Sequence, residues 1–253
     1  MTTTSTIECL WPDWPAPANV NACCTTRVGG VSEGPWAGLN LADHVGDDPA
    51  AVLKNRALLH ERLGLPAEPQ WLRQVHGTEV RRPGSVPACA DACLDDRPGQ
   101  VCVVLTADCL PVLFCDVHGT QVAAAHAGWR GLLAGVLERT VAGLAAAPGD
   151  LYAWLGPAIG PEAFEVGDEV RAGFVAEHAS AQAHFESNRP GHWLADLYGL
   201  ARDRLHRCGV QQVYGGGLCT YSDARRFYSY RRDRDTGRMA SLIWLAPDPS
   251  RHD

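Results

Sequence analysis

Apolar positions along the chain follow two rhythms, and the change between them divides it. From Asp47 to Leu65 the spacing is helical: Val52, Leu59 and Leu63 share a face, Asp48 can cap, Pro49 suits the first turn and Gly64 marks the stop. From Val101 the spacing tightens. VCVVLTADCLPVLFCDVHGTQVAAAHAG consists of valine-rich runs too short for helices, broken near Asp108 and Cys109 and turning at His118 and Gly119. Three strands are predicted there, the last ending at His126. Upstream, EPQWLRQVHGTEVRR predicts a strand or hairpin around His76. Downstream, Leu132, Val136, Arg139 or Thr140 and Gly143 or Leu144 predict a helix over 131–146. Further helices are expected at 167–178 and 193–208, the second carrying Leu194, Leu197, Ala201, Leu205 and Cys208 before a stop at Gly209. YAWL reads as a strand running into the loop GPAIGPE, and strands at 210–214 and 240–245 close the pattern. Strands and helices interleaved with hairpin turns predict an α+β fold, a sandwich of mixed β-sheets flanked by helices (αββα-like), rather than a regular parallel α/β sheet. No repeat or low-complexity linker divides the chain, so one catalytic domain over 1–253 is expected.

Composition narrows the function classes. A net charge of -7 argues against broad binding to a nucleic-acid backbone, and no apolar run is long enough for a membrane span. MTTTSTIECL has neither the basic start nor the apolar core of a secretory signal, which points to the cytoplasm and to reduced thiols for the 10 cysteines. Lys54 is the only lysine, so lysine-nucleophile chemistry is disfavoured and any anion falls to arginine or backbone.

Three residues stand out chemically. His76, Cys109 and His126 each lie at or beside a predicted strand end, where sheets present chemistry. Two imidazoles and a thiolate can form an open zinc site of the catalytic kind. Their separations of 33 and 17 residues match no local metal motif, and each alone is equally readable as a core cysteine or a locally bonded histidine. Other groupings fall short: Cys89 with Cys93 and Cys115 with His118 lack a matching second pair. His184-Phe185-Glu186 lacks the P-C-x-x-C that follows in nucleobase deaminases. No H-x-H occurs, as paired copper ligands would require. In HAGWRG, Gly128 and Gly131 could let backbone N–H groups approach a ligand while Arg130 adds a forked cation. The alternative is that Arg130 pairs with a surface carboxylate and Trp129 is core. GPAIGP is no phosphate loop, because it lacks the G-K-[ST] ending.

TTRVGGVSEGPWAGLNL, QVHGTEV, TADCLPVLF, AAAHAGWRGL, LGPAIGPEAFEVG, LCTYSDARRFYSYRRD and TGR, in this order, resemble the signature blocks of the YfiH-like family, also labelled laccase-domain proteins or purine nucleoside phosphorylases. The likeness runs from about Thr25 to Trp244. Cys89 and Cys93 stand outside that pattern. The resemblance implies an α/β sandwich of mixed sheets with helices outside, and a zinc ion held by His76, Cys109 and His126. It further implies phosphorolysis of adenosine, inosine and methylthioadenosine, with adenosine deamination at the same site. Asp108 is then the nearest acid to shuttle a proton, although strand alternation could turn it away from Cys109. Arg27, Arg130 and Arg231 become the expected phosphate holders, and Asn40 could meet ribose or base. The expected partners are a purine nucleoside and phosphate, with no nucleic acid, membrane or obligate protein partner. Other readings are a copper polyphenol oxidase, a Cys109–His126 hydrolase editing peptidoglycan precursors, and a scaffold held by zinc.

Overall fold

The computed structural model describes residues 6–85 and 89–247. In chain order the elements are β1 (Cys9–Leu10), β2 (Val20–Thr25), α1 (Pro49–Leu63), β3 (Val80–Arg81), β4 (Ala92–Asp95), β5 (Val101–Thr106), β6 (Leu110–Asp116) and β7 (Val122–Ala127). There follow α2 (Trp129–Ala134), α3 (Val136–Gly143), β8 (Leu151–Leu155), β9 (Glu165–Gly167), α4 (Asp168–Glu177), β10 (Phe185–Arg189), β11 (His192–Ala195), α5 (Leu197–Arg207), β12 (Gln212–Gly215), α6 (Tyr230–Asp233) and β13 (Met239–Leu245).

Two sheets stack face to face with helices outside both. One has the order β1-β2-β13-β5 and the other β12-β8-β6-β7-β4-β3, while β10-β11-β9 form a small third sheet. Side-chain parity builds the layers. On β5, Val101, Val103 and Leu105 join Leu59 of α1 in one core, whereas Cys102 and Val104 meet Leu113, Cys115 and Ala124 of the second sheet in another. On the far side, Val112 and Phe114 pack with Val136 and Leu137 of α3 and Leu197 and Leu205 of α5. Buried on both faces, β5, β6 and β7 carry no polar alternation, which is why they read as continuous apolar runs. This is the αββα-like sandwich that the pattern predicted.

Helix α1 keeps the expected ends. The Asp48 carboxylate accepts from the Ala50 N–H, and Gly64, at φ 57°, closes the helix. Elsewhere tertiary pairing overrides the local pattern. The predicted helix over 131–146 is two helices, α2 and α3, because Gly135 takes a left-handed φ of 97° between them. The predicted helix over 193–208 starts only at Leu197: the preceding residues form β11, whose backbone pairs with both β9 and β10. Around His76 there is no hairpin. The segment bridges Cys102 at Gln70, turns at His76 with φ 60°, and regains a strand only at β3.

Because Gly135 sits in the left-handed region, a β-carbon there is strained. Gly135→Ala should destabilise the protein by about 1 kcal/mol or more, read as a lower urea midpoint at unchanged slope.

Candidate active site

The site begins where the chain changes sheets. β5 belongs to one sheet and β6 to the other, so residues 106–109 cross the seam between them. Asp108 makes the crossing with a φ of 88°, and its backbone carbonyl accepts from Ile159 N–H at 2.9 Å. This breaks the alternation that would have turned Asp108 and Cys109 apart. Both line one cavity of about 230 Å³, together with His76, Trp129, Arg130, Ile159, Phe164, Tyr230, Arg231 and Arg234. His126 is next to last on β7, paired with Pro111 of β6. It therefore points to the opposite face from Ala125 and Ala127, which pack with the helices. His76 arrives from its left-handed turn.

The three donors converge. Their ligand atoms all lie within 4.8 Å of one another, and Cys109 Sγ stands 3.7 Å from His76 Nε2. A tetrahedral zinc with ordinary bond lengths sets sulfur and nitrogen ligands roughly 3.5 Å apart, so the donor set and spacing fit such an ion. Exposure grades outward from His126 (3%), through half-buried Cys109, to exposed His76, which leaves the open side toward the cavity. Gly128 makes the approach possible: a β-carbon there would lie 2.8 Å from Cys109 Sγ and 2.9 Å from the His76 ring. At Gly131 it would lie 2.9 Å from the Gly77 carbonyl. At both glycines the missing side chain makes room for neighbouring protein atoms.

Asp91, unremarked in the sequence, organises two of the three donors. Fully buried, its carboxylate accepts from the His76 N–H (2.8 Å), the Gly77 N–H (2.7 Å) and the Val75 N–H (3.1 Å), and bonds His126 Nδ1 at 2.9 Å. It shapes the His76 turn and leaves His126 Nε2 to face the centre. The one signal for it was an acid leading into a wholly buried strand, β4. Burial pushes the Asp91 carboxyl up, but His126 and the Gly77 and Val75 amides hold it below its ordinary value. Burial likewise raises the Cys109 thiol, yet the charge of His126 and hydrogen bonds from His126 and His76 bring it down to about 6. Burial lowers His126, while the Cys109 thiolate and Asp91 lift it to about 9. Each partner shifts the other toward its charged form, thiolate and imidazolium, so a cation bound at His126 would displace a proton.

The remaining predicted residues divide. Asp108 lines the cavity, but both its oxygens are engaged, Oδ1 by the Thr220 hydroxyl and Oδ2 by the Arg231 N–H, each at 2.6 Å. Arg231 lines the cavity and donates to the Glu165 carbonyl. Arg130 does not pair with a carboxylate among the described residues; its guanidinium lies 4.3 Å from the half-buried Trp129 ring. Arg27 is absent from the cavity wall: it donates to the Ala37 and Ala224 carbonyls and stacks on Tyr228. Asn40 is absent too. It is fully buried, donating to Ala42 O and Asp47 Oδ2 and accepting from the Ala42 and Arg238 amides, so it ties loops together.

Fold and donor set together define the class. Residues 21–246 match the family described as multi-copper polyphenol oxidoreductase laccase, and the chain belongs to it. Within that family its relatives are of the YfiH type. It is 60% identical over 238 residues to a protein of Pseudomonas aeruginosa named purine nucleoside phosphorylase, covering 93% of this chain and 98% of the relative. It is 55% identical over 237 residues to purine nucleoside phosphorylase YfiH of Escherichia coli, covering 92% and 97%. The crystal structure of a Neisseria meningitidis protein superposes with a TM-score of 0.90 at 52% identity, covering 94% of this chain and 99% of that one. Among the described residues there is one cluster of three metal-capable side chains, His76, Cys109 and His126. A multicopper oxidase needs several. No helix among the described residues is long and apolar enough to cross a membrane.

Asp91→Ala should weaken zinc binding by about 10- to 100-fold, the usual effect of losing a partner behind a ligating histidine, measured by competition with a chromophoric chelator. Unchanged affinity would show that the His76 turn and His126 hold their places unaided.

Proposed function

We propose that this protein is a zinc-dependent purine nucleoside enzyme, cleaving adenosine, inosine and methylthioadenosine by phosphorolysis and deaminating adenosine at the same site. The observation that carries this reading is a single cavity whose wall joins His76 and Cys109 of the His–Cys–His donor set to the aromatic rings of Trp129, Phe164 and Tyr230 and to arginines free of carboxylate partners among the described residues. Relatives covering nearly the whole chain carry the matching name.

Phosphorolysis transfers the ribose C1′ from the base to a phosphate oxygen, so the chain must hold a dianion beside a planar base. Arg130 and Arg231 supply the charge for the phosphate. Ile159, Phe164 and Tyr230 offer apolar surface for the purine. His76, Cys109 and His126 would hold zinc, which supplies Lewis acidity when bound. Asp108, with both oxygens engaged, positions α6 and the Arg231 backbone rather than shuttling a proton. The reading places one catalytic domain in the cytoplasm, acting on free nucleoside and phosphate; the net charge of -7 agrees with small-molecule substrates rather than nucleic acid.

A second reading has its own support. Cys109, His126 and Asp91 stand in the order of a thiol nucleophile, its base and the base's orienting acid. That arrangement suits an amide hydrolase, including one that edits a cell-wall precursor.

Inosine or adenosine with phosphate should release free base, the release should stop on chelation, and zinc should restore it. Cys109→Ala should lose bound zinc and turnover together; full phosphorolysis by that variant would end the first reading. In chelated protein, Cys109 alkylation should rise through a midpoint near pH 6 and plateau above it, as a thiol of pKa about 6 requires. Added zinc should suppress it. A trapped acyl-thioester in zinc-free, active enzyme would instead establish the hydrolase.

A further inference from the structure

Among the described residues, three that are not glycine have a positive φ: His76 at 60°, Asp108 at 88° and Arg234 at 63°. All three line the same cavity. Backbone in this region is strained for residues with a β-carbon, and such strain persists where the surrounding structure enforces it. For two of them the enforcing contacts are plain. Asp91 holds the His76 turn, while Thr220, Ile159 and the Arg231 amide hold Asp108.

Arg234 is different. Its N–H donates to the Tyr230 carbonyl at 2.9 Å and its ψ is -82° as the chain leaves α6 for β13. A glycine would make that turn with less strain. The side chain has no hydrogen-bond or ion-pair partner among the described residues, and its guanidinium lies 5.7 Å from the Tyr230 ring. Neighbouring arginines have partners: Arg232 bonds Asp233 and the carbonyls of Thr220, Tyr221 and Phe227, and Arg238 bonds those of Thr236 and Gly237.

The pattern repeats around the cavity. Arg130 lies over Trp129 at 4.3 Å, Arg231 over Phe164 at 5.4 Å and Arg234 over Tyr230, and all six side chains line the wall. Stacking on a ring face orients a guanidinium without neutralising it. The one acid in the wall, Asp108, already accepts two hydrogen bonds. Three guanidinium groups therefore face a space of about 230 Å³ whose wall holds a single carboxylate, and none of the three is ion-paired with it among the described residues.

We infer that Arg234 is an anion-binding residue of this site, completing with Arg130 and Arg231 a cradle for the phosphate co-substrate, and that its left-handed backbone is retained because the cradle needs a guanidinium there. The identity of the anion rests on the phosphorolytic reading above; the need for an anion rests on three guanidiniums that face one cavity without an ion-pair partner among the described residues.

The test uses the zinc-loaded full chain, inorganic phosphate as probe, and the variants Arg234→Gly and Arg234→Lys. Arg234→Gly should relieve strain and raise Tm by roughly 2–4 °C. The same variant should raise the KM for phosphate by about 10- to 100-fold, the usual effect of losing a charged hydrogen bond. It should also shrink the rise in Tm that phosphate produces, and Arg234→Lys should recover most of the phosphate affinity. A merely structural turn residue would give the higher Tm alone. Unchanged phosphate KM and unchanged phosphate-induced stabilisation in Arg234→Gly would overturn the assignment, and a lower Tm would remove the strain argument. Should wild type bind phosphate, lose that binding in Arg234→Gly, and yet release no base, the anion site would stand and phosphorolysis would fall.

Discussion

The Asp91 carboxylate ties the His76 turn to the His126 ring of β7. Three consecutive backbone amides, at residues 75 to 77, point at it, and the His126 ring approaches from β7. A carboxylate buried this deeply is tolerable only because every donor is directed at it and a positive ring lies against it. In return the His76 turn is held in a backbone conformation that it would not choose, and His126 presents one particular nitrogen to the centre. The positions of two donors thus follow from one acid.

The sandwich supplies the third donor. A chain passing from β5 in one sheet to β6 in the other must cross the seam, and Cys109 sits at the end of that crossing. The strand parity of β7 turns His126 toward the same seam. Close approach then depends on missing atoms: without side chains at Gly128 and Gly131, the α2 end of β7 can lie against the sulfur, the His76 ring and the Gly77 carbonyl. The cavity beside this centre combines aromatic surface with positive charge, a pairing suited to a planar, anion-bearing reaction mixture.

Much of the framework was legible along the chain. Capping residues and periodic apolar positions located α1, and the unbroken apolar runs located β5, β6 and β7, since burial on both faces removes polar alternation. The pattern was misleading where pairing partners lay elsewhere. β11 looks helical because its apolar spacing allows it, but its amides are claimed by β9 and β10. The 131–146 segment looks like one helix because a left-handed glycine leaves no mark in hydrophobic spacing. Arg27 and Asn40 looked available for a ligand because sequence does not show that backbone carbonyls and amides elsewhere in the fold bond them.

The amino-acid order by itself determined the alternation of elements, the layered fold class and, through its motif blocks, which two histidines and which cysteine to examine. Residue type and periodicity are local properties, and those conclusions need nothing more. Tertiary structure alone decided that the three donors share a centre, that Asp91 governs two of them, and which arginines remain uncommitted. Each of those depends on distances between segments far apart in the chain, set by how two sheets stack and where the backbone crosses between them.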